Sequence, residues 1–153
     1  MPSYTYRDGK LVEIPDTVIT ESCEILEPVT NTLVIRAGAH VVTRATISGT
    51  VVVEQSAVLE TRSPISGTVT VRQGGRALFR DRMSGTLNVD HGGTATLAPT
   101  AVALGTMNIN GELTNEGVRG VQVNGQGHVF DAPGSTVRKP DETWADGTVV
   151  YRS

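Results

Sequence analysis

The tripeptide Ser-Gly-Thr recurs at Ser48-Gly49-Thr50, Ser66-Gly67-Thr68 and Ser84-Gly85-Thr86, each copy 18 residues after the last. A fixed period of that length marks a chain of stacked units, none of which can bury its apolar residues alone. A finer period runs inside the unit. Cys23, Val29, Ile35, Val41, Ile47, Val53, Leu59, Ile65, Val71, Ala77, Met83, Val89, Ala95, Ala101 and Met107 recur every six residues. Six is neither the helical period of 3.6 nor the strand period of 2. Three such units per repeat predict three short, flat sides joined by corners, a coil triangular in section. The residue two places before each large apolar position is mostly small, as at Ala39, Ala45, Ala57, Ser63 and Gly75, so both inward positions of a side fit a narrow core.

Stacking at this period predicts three buried columns. Cys23, Val41, Leu59, Ala77 and Ala95 form one; Ile35, Val53, Val71 and Val89 a second; Val29, Ile47, Ile65, Met83 and Ala101 a third. Cys23 is expected to be a buried packing residue, since no histidine is placed to activate it. The Ser-Gly-Thr triplets fall on one corner, where Gly is expected to permit the bend and Thr to bond to the neighbouring rung. With 17 glycines and 4% aromatic residues, the composition suits short strands and tight corners, not helices packed through an apolar stripe.

The fold class is therefore all-β, a single-domain three-sided β-solenoid with about 18 residues per rung, spanning all 153 residues. Leu104-Gly105-Thr106 follows the preceding triplet at a spacing of 20, so two residues are inserted after Pro99. From Asn110 to Gly127 the period is irregular and rich in Gly and Asn, which suggests protruding turns. At the start, Tyr4 to Leu11 alternates around Asp8-Gly9, and Trp144 to Tyr151 repeats the design around Asp146-Gly147. Residues 1–16 are expected to form an N-terminal hairpin cap, 17–137 the rungs, and 138–153 a C-terminal strand or hairpin cap, which would blunt the open edges of the coil.

The formal charge of −3 gives no general attraction to nucleic acid or anionic membrane, so any electrostatic argument is local. Few aromatics are present for base stacking, and a nucleic-acid partner ranks below a protein one. No apolar run approaches the roughly 18 residues of a membrane span. The single cysteine and the absence of a signal-peptide pattern at Met1-Pro2-Ser3-Tyr4 point to the cytoplasm.

Arg36, Glu54, Arg72 and Asp90 form an outward column of alternating sign, expected to support itself between rungs. Arg44, Arg62 and Arg80 stack with one sign at another corner. At about 4.8 Å between rungs, such neighbours repel by about 1 kcal/mol in water before screening. Arg76 and Arg82 extend this basic edge. Either Glu60, Asp81 and splaying of the side chains offset the repulsion, or the edge faces an acidic partner surface; these five arginines are the candidate binding residues. His40, His91 and His128 show no metal-ligand spacing, His40 and His91 lie in different columns, and no nucleotide loop or paired nucleophile and base is present, so no metal, cofactor or catalytic residue is assigned.

Residues 32–98 resemble two solenoid groups in repeat style. Leu33-Val34-Ile35-Arg36-Ala37-Gly38-Ala39-His40-Val41 and Ile47-Ser48-Gly49-Thr50-Val51 resemble the bactofilins, bacterial cytoskeletal proteins, which implies self-assembly into filaments. An aliphatic residue every six positions with a small one four later, as in Ile35 with Ala39 and Val53 with Ala57, is similar to the hexapeptide-repeat acyltransferases. That likeness implies a trimeric enzyme with a catalytic histidine. Without a recognisable active site, the leading expectation is a non-enzymatic protein that presents a rigid side or edge to another protein, as an immunity or inhibitor protein or an assembly adaptor.

Overall fold

The computed structural model describes residues 18–120 and 123–138 in full; for Ser3–Arg7, Lys10–Ile14, Thr17, Glu142–Thr143 and Val149–Val150 it gives strand pairing alone. Short parallel strands stack into a three-sided solenoid. Side one holds Thr17–Ile19, Thr32–Ile35, Thr50–Val53, Thr68–Val71, Thr86–Val89 and Met107–Ile109. Side two, whose sheet has seven strands, holds Cys23–Ile25, His40–Thr43, Val58–Thr61, Arg76–Phe79, Thr94–Leu97, Glu112–Asn115 and His128–Asp131. Side three begins as single bridges Val29↔Ile47↔Ile65↔Met83 and widens into Arg82–Met83, Val102–Ala103, Val118–Gly120 and Thr136–Arg138.

On side one each four-residue strand alternates half-exposed and buried positions, the period of 2 embedded in the period of six. Ile19, Ile35, Val53, Val71, Val89 and Ile109 stack in register on side one. On side two, Val41, Leu59, Ala77, Ala95, Leu113 and Val129 do the same. From Ile35 to Ile109 and from Val41 to Leu113 the columns are buried, while Val129 at the last rung is only partly so.

Two expected core positions are corrected. Cys23 does lie in register with Val41, but it is exposed, because Cys23–Ile25 is the edge strand of its sheet and no further rung of that sheet covers it. Met83 pairs with Ala103, not Ala101. The two inserted residues enter the corner Ala98-Pro99-Thr100-Ala101, whose turn closes by Ala101 N–H donating to Ala98 C=O at 2.8 Å. Ala101 is still buried, within that corner. The insertion does not propagate. Val89 pairs with Ile109 at a spacing of 20, yet Thr94 pairs with Glu112 at 18, because Asn110-Gly111 turns a corner that Asp90-His91-Gly92-Gly93 turns with four residues one rung earlier. Glu112 then pairs with His128 at a spacing of 16.

The corners use glycine for two separate reasons. Between sides one and two, Gly38, Ser56, Gly74 and Gly92 stack with φ of 84°, 65°, 79° and 84°, the left-handed region that a side chain disfavours. Between sides three and one, Gly49, Gly67, Gly85 and Gly105 have no positive φ. A Cβ on each would collide with backbone carbonyl groups of the rung before. The Ser-Gly-Thr triplet is thus a close-approach device rather than a bend. Its threonines reach the preceding rung through the main chain, with Thr68 N–H donating to Gly49 C=O and Thr86 N–H to Gly67 C=O, both at 3.1 Å.

Polar groups punctuate the core. Buried Thr43 and Thr61 precede Phe79 in one inward column of side two; Thr43 Oγ1 shares a 2.9 Å hydrogen bond with Ser63 Oγ, which also donates to Ala45 C=O at 2.6 Å. The same column ends in Asn115 and Asp131, while the inward column of side three ends in Arg119 and Val137. Arg119 grips Asp131 through two 2.8 Å bonds, Nε to Oδ1 and Nη2 to Oδ2. Asn115, fully buried, donates to Asp131 Oδ1 and to Thr136 C=O at 3.1 Å each, and its Oδ1 accepts from Gly117 N–H. A charged plug therefore closes the C-terminal end of the apolar core.

Both terminal hairpins pair antiparallel as expected, Ser3–Arg7 with Lys10–Ile14 and Glu142–Thr143 with Val149–Val150. The turn residues Asp8-Gly9 and Asp146-Gly147, with Trp144 and Tyr151, lie outside the described residues.

Candidate binding face

Outward side chains of side two stand in two columns and a corner row, all fixed by strand register. The first column reads His40, Val58, Arg76, Thr94, Glu112, His128. The second reads Val42, Glu60, Leu78, Thr96, Thr114, Phe130. Arg44, Arg62, Arg80, Ala98, Glu116 and Ala132 follow at the corner, each donating its N–H to the strand end one rung earlier, with Ala98 itself buried.

The arginine row is largely neutralised within the chain. Arg44 Nη2 lies 3.2 Å from Glu24, Arg62 Nη2 3.4 Å from Glu60, and Arg80 Nε 2.6 Å from Glu60. Glu60 also lies 3.7 Å from His40 Nε2. The Arg80 hydrogen bond, helped by the charge of Arg62, holds the Glu60 carboxyl below its ordinary range despite the opposing effect of burial. Glu60 is therefore the offset that the like-charged stack requires. Asp81 does not share in it: its Oδ1 accepts from Arg82 N–H at 2.7 Å.

Arg76 and Arg82 do not extend one edge. Arg76 stands at the far end of its strand from Arg80, on side two, whereas Arg82 lies across the corner on side three. Neither has an ion pair among the described residues. The alternating column is also only partly joined: Arg36 meets Glu54 at 3.4 Å, but Arg72 and Asp90 make no ion pair among the described residues. Further along side two, exposed Glu112 and Glu116 likewise have no ionic partner among the described residues.

Sequence reasoning missed this division of charge: His40, Arg44, Arg62, Arg76 and Arg80 occupy the early rungs, Thr94 and Thr96 the middle, Glu112 and Glu116 the late ones. It also missed an amide ladder on side one. Asn108 donates to Asn88 at 2.7 Å, Asn124 to Asn108 at 3.3 Å, and Asn88 to Thr70 Oγ1 at 3.4 Å. Both patterns become visible only once the rungs of 20 and 16 residues are placed in register.

His91 and His128 share a shallow groove of about 350 Å³ with Glu112, Asn110 and Gln126 at the corner between sides one and two. Among the described residues no side-chain hydrogen bond links the two histidines or Glu112, and no three His, Cys, Asp or Glu side chains are placed to hold a metal ion. Among the described residues no helix is long and apolar enough to cross a membrane. The fold thus defines a three-sided parallel β-solenoid, with a flat outward face of divided charge. No family model, curated protein or solved structure matches the chain.

Proposed function

We propose that this solenoid is a non-enzymatic binding protein that offers side two as a rigid face to a protein partner, in the manner of an immunity or inhibitor protein or an assembly adaptor. One observation carries the reading. Arg76 and the pair Glu112 and Glu116 stand on one flat sheet without ionic partners among the described residues, at positions fixed by strand register. Charges held in a fixed array select a partner of reversed pattern and penalise others. The early rungs suit an acidic surface, as the sequence suggests, but through Arg76 more than through the Glu-paired Arg44, Arg62 and Arg80.

The test is affinity capture from native lysate with wild type and with Arg76→Glu. Capture of a stoichiometric partner that falls away with the variant supports the face. Equal capture by both removes side two from consideration. A bactofilin-like filament built by stacking rungs end to end draws less support, because Arg119 and Asp131 occupy inward positions at the last rungs. Burying that pair against another copy's apolar core would strip it of solvent.

A further inference from the structure

We infer that the occupant of side two is a second copy of this chain, packed face to face about a two-fold axis that runs along the strand Thr94–Leu97. The inference rests on side two being the binding face and names its partner. A two-fold axis in the plane of the face and parallel to its strands keeps strand direction and inverts rung order. It lays the two rungs before Thr94–Leu97, those of Arg76 and Val58, against the two rungs after it in the other copy, those of Glu112 and His128. Arg76 and Glu112 share one column, one rung either side of Thr94. Arg80 and Glu116 flank Ala98 in the corner row in the same way. The operation therefore sets Arg76 of each copy opposite Glu112 of the other, and Arg80 opposite Glu116, four attractive juxtapositions in all. Thr94 and Thr96 meet their own symmetry mates without charge.

The alternative in-plane axis, parallel to the solenoid, keeps rung order and reverses strand direction, which opposes Arg76 to Arg80 and Glu112 to Glu116. Like charges then face one another, so the charge pattern selects the first axis. A two-fold interface is closed, so it predicts a dimer and no larger particle. The centre of the face is not strongly charged: Leu78, Thr96 and Thr114 are half-buried within their own sheet. Exposed Phe130 supplies an apolar side chain toward the edge.

Size sets the strength. The five rungs that overlap, at about 4.8 Å each, and four residues at about 3.3 Å give a footprint of roughly 24 by 13 Å. That is well short of the roughly 800 Å² per partner typical of a stable complex. The dimer is therefore weak, concentration-dependent and loosened by salt.

Sedimentation equilibrium of the full chain, from low to high protein concentration, tests this. Wild type is expected to rise from monomer to dimer mass and to fall back in high salt. Arg76→Glu and Glu112→Arg, each altering two contacts by symmetry, should each weaken association by about tenfold or more. Mixing the two variants should restore it as a heterodimer, and the double variant Arg76→Glu/Glu112→Arg should restore it as a homodimer. Both positions are exposed and have no ion pair among the described residues, and circular dichroism is to check that each variant folds. Arg76→Gln gives the same readout without an added negative charge. A wild type that stays monomeric throughout, a dimer indifferent to both reversals, an unrescued mixture, or growth beyond dimer each overturns the inference. A monomer that still captures a partner through Arg76 overturns it while leaving side two as the binding face. A foreign partner does not follow the charge swap.

Discussion

Replacing Gly67 by alanine should destabilise this protein far more than the same change at a corner glycine with open space around it. The added Cβ falls on the carbonyl oxygen of Gly49 and within 2.7 Å of the backbone carbon and oxygen of Ser48. All are main-chain atoms of the preceding rung, so no side chain can swing aside. The corner must open between the two rungs, which breaks two of the hydrogen bonds that cross it there: Gly67 N–H to Ile47 C=O at 3.3 Å and Thr68 N–H to Gly49 C=O at 3.1 Å. Losing both, at about 1 kcal/mol net each and more where a group is left unsatisfied, costs about 3 to 5 kcal/mol. Gly38→Ala is the control. Its Cβ meets nothing within 4 Å, and it suffers only from φ of 84°, about 1 kcal/mol. Urea unfolding followed by circular dichroism compares the two. With a total stability on the order of 5 to 15 kcal/mol, the Gly67 variant should lose a large share of its midpoint and the Gly38 variant little. Equal losses in the two variants would show that the triplet glycine serves conformation and not proximity.

Other consequences can be measured with equal directness. Ser56 has φ of 65° in a column otherwise filled by glycine, so Ser56→Gly should raise stability by about 0.5 to 1 kcal/mol after the entropic cost of glycine, read as a higher urea midpoint. The Arg119 hydrogen bond holds the Asp131 carboxyl below its ordinary range. Its stabilising effect is present above the unfolded carboxylate value and is lost as pH falls through the folded one. Arg119→Gln should remove that part of the acid-side slope in unfolding titrations, and an unchanged slope would exclude the pair. Exposed Cys23 should react with a thiol reagent in native protein at a rate close to that in urea, whereas a strongly protected thiol would restore it to the core.

The solenoid was legible because its signal is additive. Ile35, Val53, Val71 and Val89 each repeat one requirement, and 18 residues set the rung without any need to know the corner geometry. Failures came where one local fact decides. Cys23 obeys the period yet lies on an edge strand, and periodicity carries no information about where stacking ends. Ala101 was placed by counting sixes through a corner that holds two extra residues. The arginine row was read correctly as a same-sign stack, but its neutralisation depends on Glu60 reaching both Arg62 and Arg80, which is a matter of side-chain geometry. The plug of Arg119, Asp131 and Asn115 was missed because an arginine in the sequence reads as surface. Only the register Ala103↔Arg119 shows that it points inward.

Rungs of 18, 20 and 16 residues coexist here because every change of length is absorbed at a corner before the next strand begins. The strands behave as treads and the corners as spacers, and only the treads must match. Such a molecule can be edited by evolution in two independent ways. Whole treads can be duplicated to make a taller ladder with the same cross-section, and corners can be lengthened to grow new loops without disturbing the rows of charge beside them. The height of side two, and so the span of any surface it meets, is in that sense a countable quantity written in the number of repeats.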